Sequence, residues 1–248
     1  MPIDIQNSVG SQGANNSDDV RAVKTRLIEL GFDWLSLEGA MDKVDQLTIN
    51  TIKLFQTIKT GVNVITGDGR VDANGDTLKW LQASNAPRWQ TMPAGSPEEG
   101  FVNDELKDHN DHHDFGTSWL ADTLKGTGAR YKTDFLSGHA TGALLSLNDA
   151  SLPRGGFTSA HKGHQAGLAC DIRLPKKDGT VGGVVVGQSA YDRNAMRAML
   201  KAFLAQPLAG RVFLNDSVLR DEGLCSFEAG HENHAHLQIK APERVMGL

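Results

Sequence analysis

Apolar residues recur at helical spacing three times in the first third of the chain. Val20, Val23, Leu27 and Leu30 fall three or four positions apart, with Arg21, Lys24, Arg26 and Glu29 between them, which is the pattern of a helix with one buried face. Asn16, Ser17 and Asp18 supply N-cap candidates and Gly31 a stop. Leu47, Ile49, Ile52, Phe55 and Ile58 repeat the pattern over residues 45–59, and Leu78, Trp80 and Leu81 mark a short third helix. Residues 1–16 are polar and turn-rich and predict no element. In GDGRVDANGD, residues 67–76, Asp68, Asp72 and Asp76 invite a calcium reading. Gly75, however, is one residue early for an EF-hand loop and the closing Glu is missing, so the segment is predicted to be a turn.

Residues 83–100 contain three prolines and no periodicity, which predicts a linker over 86–100 and a domain boundary. The acidic run DHNDHHDF follows, at 108–115. Its His109, His112 and His113 are flanked by polar residues with no closing ligand, so a solvated helix face or loop is expected. Beyond it the pattern predicts a helix over 119–132, strands over 143–147 and 182–186, and a helix over 190–204 with Met196, Met199, Leu200 and Phe203 on one face. Two more strands are predicted over 212–214 and 234–239. The expected class is α+β: a three-helix domain at 1–85, a linker at 86–100, and a domain at 101–248 built on a small antiparallel sheet.

Charge narrows the partners. The 25 basic and 30 acidic residues are interspersed, with net charge −5, so no basic stripe for nucleic acid is present. No run approaches the roughly 18 to 20 apolar residues of a membrane span, and residues 1–9 lack the basic start and apolar core of a signal peptide. Classical secretion is therefore not expected, and a monomer is. Cys170 and Cys225 are too few for a disulfide scaffold and belong to no C-x-x-C pair; one disulfide between them stays open.

The densest chemistry lies in SAHKGHQAGLACDI, 159–172, and GHENHAHLQI, 230–239, which hold five of the nine histidines and an aspartate among apolar residues. On an extended 234–239, His234 and His236 share one face while Leu237 and Ile239 can pack behind. Over 168–174, Asp171 shares a face with Ala169 and Arg173, which leaves Cys170 on the core side. Gly163 and Gly167 permit a turn that brings His164 above the start of this strand. Two ligands from here and one from the other strand make three protein ligands with one open position, the arrangement of a catalytic zinc. His234, on the face of His236, is the natural candidate for a base beside it. His139, alone in its segment, is expected to be an ordinary surface residue.

Two resemblances follow from these residues. The N-terminal pattern, through Val20, Val23, Leu27, Gly31, Thr48, Ile52, Phe55, Gln56, Gly69, Val71, Asp72, Thr77 and Leu81, resembles the small three-helix peptidoglycan-binding domain of bacterial cell-wall hydrolases. PRGGFTSAHKGHQAGLACDI, 153–172, resembles the penicillin-insensitive murein endopeptidases, with a PRGG-type turn, an H-x-x-H-Q-x-G-L-x-x-D motif and a later H-x-x-H-x-H. The wider superfamily includes lysostaphin-type endopeptidases and D-alanyl-D-alanine peptidases.

By that resemblance His164, Asp171 and His236 are zinc ligands and His234 is the catalytic base. His161 and His231 orient groups or stabilise the transition state, and Arg154 shapes or contacts the site. Where the D-alanyl-D-alanine peptidases place a Glu base this chain has Asn233, and the aromatic residues that commonly precede the last motif are absent. The implied activity is zinc-dependent endopeptidase cleavage of cross-linked peptidoglycan stems, at D-alanyl to meso-diaminopimelate bonds. The alternatives are a D,D- or L,D-carboxypeptidase or dipeptidase on uncross-linked stems, and a non-catalytic wall-binding protein. With no export signal, the implied route to the periplasm or wall is phage lysis or a specialised secretion system, whose apparatus component or immunity protein would be a further partner.

Overall fold

The structure, a computed structural model, describes residues 3–107, 111–139, 141–159 and 161–247. It is a mixed α+β chain. Strand β1 (Val9–Gly10) opens it, followed by helices α1 (Ser17–Glu29), α2 (Trp34–Leu37) and α3 (Gln46–Thr60), strand β2 (Arg70–Val71) and helix α4 (Asp76–Gln82). The three periodic segments are thus helical where expected, and they bury Val20, Val23, Leu27, Ile52, Phe55, Ile58, Leu78, Trp80 and Leu81. The first residues are more ordered than their polarity suggests: β1 pairs with β2, and Ile3 and Ile5 are buried. Each aspartate of the 67–76 turn is taken by the protein. Asp68 accepts from Gln56 Nε2 and the Arg70 N–H, Asp72 from Arg70 Nε, and Asp76 from Lys59 Nζ.

The second part begins with β3 (Trp89–Thr91), β4 (Gly95–Ser96), β5 (Phe101–Asn103) and β6 (Phe115–Thr117). Helix α5 (Ser118–Asp134), β7 (Leu145–Leu147), β8 (Ala169–Arg173), helix α6 (Arg193–Leu204), β9 (Ala209–Phe213), helix α7 (Ser217–Asp221) and β10 (His234–Ile239) follow. Six strands form one sheet in the order β4-β5-β7-β8-β10-β9, while β3 and β6 pair separately. The sheet is mixed rather than purely antiparallel, because β5 runs parallel to β7. Helix α5 packs on α6, β5 and β10, and α6 on β9. Cys170, Ile172, Ala235 and Leu237 are fully buried. Residues 182–186 form no strand: Gly182 and Gly183 adopt φ of +69° and +62°, a left-handed backbone that breaks an extended run. Both cysteines are free thiols.

Residues 86–100, expected as a linker, are a packed joint. The Trp89 N–H donates to Leu30 O at 2.7 Å and its indole Nε1 to Pro153 O at 2.8 Å. Its ring stacks on Phe32 and meets Trp34 edge-on. Short strands of two or three residues give no readable alternation, and Pro93 and Pro97 stand just outside them, where no ladder bond is lost. Further bonds cross the joint: Ile65 N–H to Gln165 Oε1, Trp119 Nε1 to Asn85 O, and Ser84 N–H to Met246 O. Among the described residues no helix is long and apolar enough to cross a membrane.

Candidate metal centre

Strands β8 and β10 pair antiparallel with His236 directly opposite Asp171 and His234 opposite Arg173. Directly opposed residues share a face, so the register alone brings Asp171, His234 and His236 together. His164 comes from the loop before β8. Gly167, at φ +61°, turns the chain there, and a Cβ at that position would lie 2.7 Å from Gly116 Cα and from the Trp89 ring.

The three expected ligands converge. His164 Nε2 lies 3.0 Å from His236 Nδ1, and Asp171 Oδ1 lies 3.0 Å from His236 Nδ1 and 3.3 Å from His164 Nε2. Atoms so spaced can all lie about 2 Å from one point, the ordinary zinc–ligand distance, with a fourth direction open. All three side chains are buried. His164 is held in one tautomer because Nδ1–H donates to Ala150 O at 2.8 Å, which leaves Nε2 unprotonated toward the centre. Two imidazoles and a carboxylate with this orientation fit zinc.

Charge follows the same geometry. Burial opposes ionisation of Asp171, but His164 and His236 outweigh it and hold the carboxyl well below the usual range. Burial likewise opposes the His164 imidazolium, and Asp171 with Ala150 O overcomes it, raising that group. For His236 burial dominates over Asp171 and lowers it.

His234 Nε2 lies 3.5 Å from the second oxygen of Asp171, and its Nδ1–H donates to Asn233 Oδ1 at 2.7 Å. Its basic nitrogen therefore faces the centre. Burial, partly offset by Asp171, keeps its affinity for a proton below that of an ordinary histidine. His161 approaches the same oxygen with Nδ1 at 3.7 Å. His231 is half-buried; Nδ1 faces the carbonyls of Glu228 and Ala229, and its ring stands 4.7 Å from that of His234.

Arg154 lies elsewhere. Its guanidinium pairs with Glu38 at 2.6 Å and lines a mostly apolar cleft with Trp34, Leu54, Ile65 and Phe157. The PRGG turn is a joint to the N-terminal helices, not a wall of the histidine site. Two other clefts, of about 490 and 500 Å³, do reach the site and share Asp171, His161, His234 and Gly230. The first also takes in Lys162, His231 and His236, the second Asp149, Arg173 and Asn233.

One residue departs from the sequence reading of the acidic run. His113 is buried, 4.8 Å from the His161 ring, instead of solvated. His112 is exposed as expected, and His109 lies outside the described residues. His139 is exposed and stacks on Phe135. Asp149, whose Oδ1 sits 3.7 Å from His161 Nε2, was not singled out by the sequence; its only signal there is its place four residues before the PRGG turn. No protein-family model matches the chain, and no curated protein matches it.

Proposed function

We propose that the chain is a zinc-dependent peptidoglycan hydrolase, an endopeptidase acting on cross-linked peptide stems, in the manner of the murein endopeptidases its motifs resemble. The observation that carries this reading is the buried triangle of His164 Nε2, Asp171 Oδ1 and His236 Nδ1, with the His234 Nε2 beside it where two clefts meet. Those three atoms would hold the metal. Bound there, zinc would polarise the scissile carbonyl and lower the pKa of an attacking water toward about 7. His234 accepts the proton at Nε2 and returns it to the leaving amine, its tautomer fixed by Asn233. Two clefts that share His161, Asp171 and His234 suit a substrate that extends beyond the scissile bond in more than one direction, as a cross-link does. Lys162 in one and Arg173 in the other meet stem carboxylates. D-alanyl to meso-diaminopimelate is the proposed bond. The N-terminal helices are proposed to anchor the enzyme on peptidoglycan, with delivery to the wall by phage lysis or specialised secretion.

Purified sacculi incubated with protein, with and without chelator, test this by mass spectrometry of the released muropeptides. Conversion of cross-linked dimers to monomers that stops on chelation is expected. Dimers that persist with zinc present would sink the endopeptidase reading, and loss of a terminal residue from monomers alone would replace it with a carboxypeptidase.

A further inference from the structure

His161 has a second neighbourhood on the side away from Asp171. Its Nε2 lies 3.7 Å from Asp149 Oδ1, and that oxygen lies 3.8 Å from His113 Nδ1. The His113 and His161 rings meet edge to face at 4.8 Å. Each of His113, Asp149 and His161 offers a ligand atom within 4.8 Å of the other two. The two Asp149 separations are too long for hydrogen bonds and about half an ångström beyond the edge, about 3.3 Å, of a zinc tetrahedron.

Three features of the cluster favour a cation. His113 is only 7% exposed, and among the described residues neither ring nitrogen makes a hydrogen bond; Nδ1 lies 3.2 Å from Asp111 Oδ2 without aligning on it. Unbonded buried polar groups are costly and rare, and one in a native fold calls for an explanation. Asp149 is oriented for ligation: Asn148 Nδ2 donates to Oδ2, while Oδ1 faces both imidazoles. Two carboxylates also flank the His113 ring, with Asp111 Oδ2 at 3.2 Å and Asp149 Oδ1 at 3.8 Å from Nδ1, and the negative field they set up favours a cation.

We propose that His113, Asp149 and His161 form a second divalent-metal site, with Asp111 at its edge, separated from the His164–Asp171–His236 centre by the His161 ring. Two imidazoles and a carboxylate select a borderline cation such as zinc over magnesium or calcium. The site stands on its own three side chains and does not require the hydrolase reading. Where both hold, metal on His161 Nε2 fixes that ring with Nδ1 toward Asp171 and makes His161 a positioning residue for the first centre.

Metal-free protein titrated with Zn²⁺, with bound metal measured by equilibrium dialysis and elemental analysis, tests the proposal. Wild type is expected to bind two equivalents. His113→Gln and Asp149→Asn, each checked for folding by circular dichroism, should bind one, and His164→Ala should lose the other one. Wild-type binding of no metal, or of one or two equivalents that His113→Gln and Asp149→Asn leave unchanged, would overturn it. A single equivalent that His113→Gln removes and His164→Ala leaves supports this site while counting against the hydrolase reading. Should both variants misfold, anomalous scattering from zinc-soaked wild-type crystals decides: a peak within ligand distance of His113 and Asp149 supports the site, and its absence there overturns it.

Discussion

The N-terminal helices and the β8–β10 sheet treat their buried polar groups differently. Around the helices the buried polar groups described, Asn63 excepted, are matched by a partner at hydrogen-bond distance. Asp45 caps α3, Gln56 binds Asp68, Arg70 O and the Gly69 N–H, and Lys24, fully buried, donates to Ala40 O. Around the sheet the buried polar groups face one another instead. Asp171 has a ring nitrogen of each of four histidines between 3.0 and 3.7 Å. Polarity in a core is therefore no mark of a site, since matched donors and acceptors simply hold the fold. Imidazoles and a carboxylate converging on one point mark a place that can hold a cation.

Substitutions at the sheet should break function without breaking the fold. His234→Ala should lower muropeptide release by about 10²- to 10⁴-fold, the usual worth of a general base, while metal content stays at the wild-type level. His164→Ala should lose both cleavage and one equivalent of metal. A His234→Ala protein that cleaves like wild type would remove the proposed base and with it the contrast drawn above.

The joint between the regions is next in size. Trp89→Ala removes a buried indole packed on Phe32 and Trp34 and its bond to Pro153 O, and should cost about 3–5 kcal/mol. The loss should appear in urea unfolding followed by fluorescence and by circular dichroism alike. Two independent transitions, neither moved by the substitution, would mean that residues 86–100 are the free linker their composition suggests. Chelation should act more mildly: metal at 100 times its dissociation constant stabilises by about 2.7 kcal/mol, a fall in Tm of about 5–10 °C on removal. His164→Ala should shrink that fall, and a chelator without effect on wild type would argue that no metal supports the fold.

How much of this was legible in the sequence depends on the range of the interactions. The helices carry their own signal, because α1 and α3 each repeat an apolar face over more than ten residues. Alternation on β10 also told which face His234 and His236 share, and that on β8 placed Cys170 behind the sheet. What composition hid was made by contacts distant in sequence. Trp89 is ordered by Leu30 and Pro153, Arg154 is drawn off by Glu38, and His113 is buried against His161. A proline-rich stretch and an acidic histidine run look solvated until a partner about fifty residues or more away covers them.

The smallest effect tests the helical side of the comparison. Asp45 Oδ1 accepts from the Thr48 N–H at 2.7 Å and from its hydroxyl at 2.6 Å, and Oδ2 lies 3.8 Å from Lys24 Nζ. Burial alone would raise its pKa, but Thr48 and Lys24 hold it below the ordinary 3.8. A carboxyl whose folded pKa is depressed contributes stability above its unfolded pKa and loses it as the pH falls through the folded value. Asp45→Ala should therefore cost about 1 kcal/mol at pH 7, the ordinary worth of an N-cap, and the gap to wild type should narrow below about pH 4. Asp45→Asn keeps a capping oxygen and should cost less, with a gap that changes less with pH. Urea midpoints of the three proteins at pH 7, 5 and 3 measure this, and an Asp45→Ala gap equal at all three would show that the carboxylate's charge, unlike that of Asp171, does nothing for the protein.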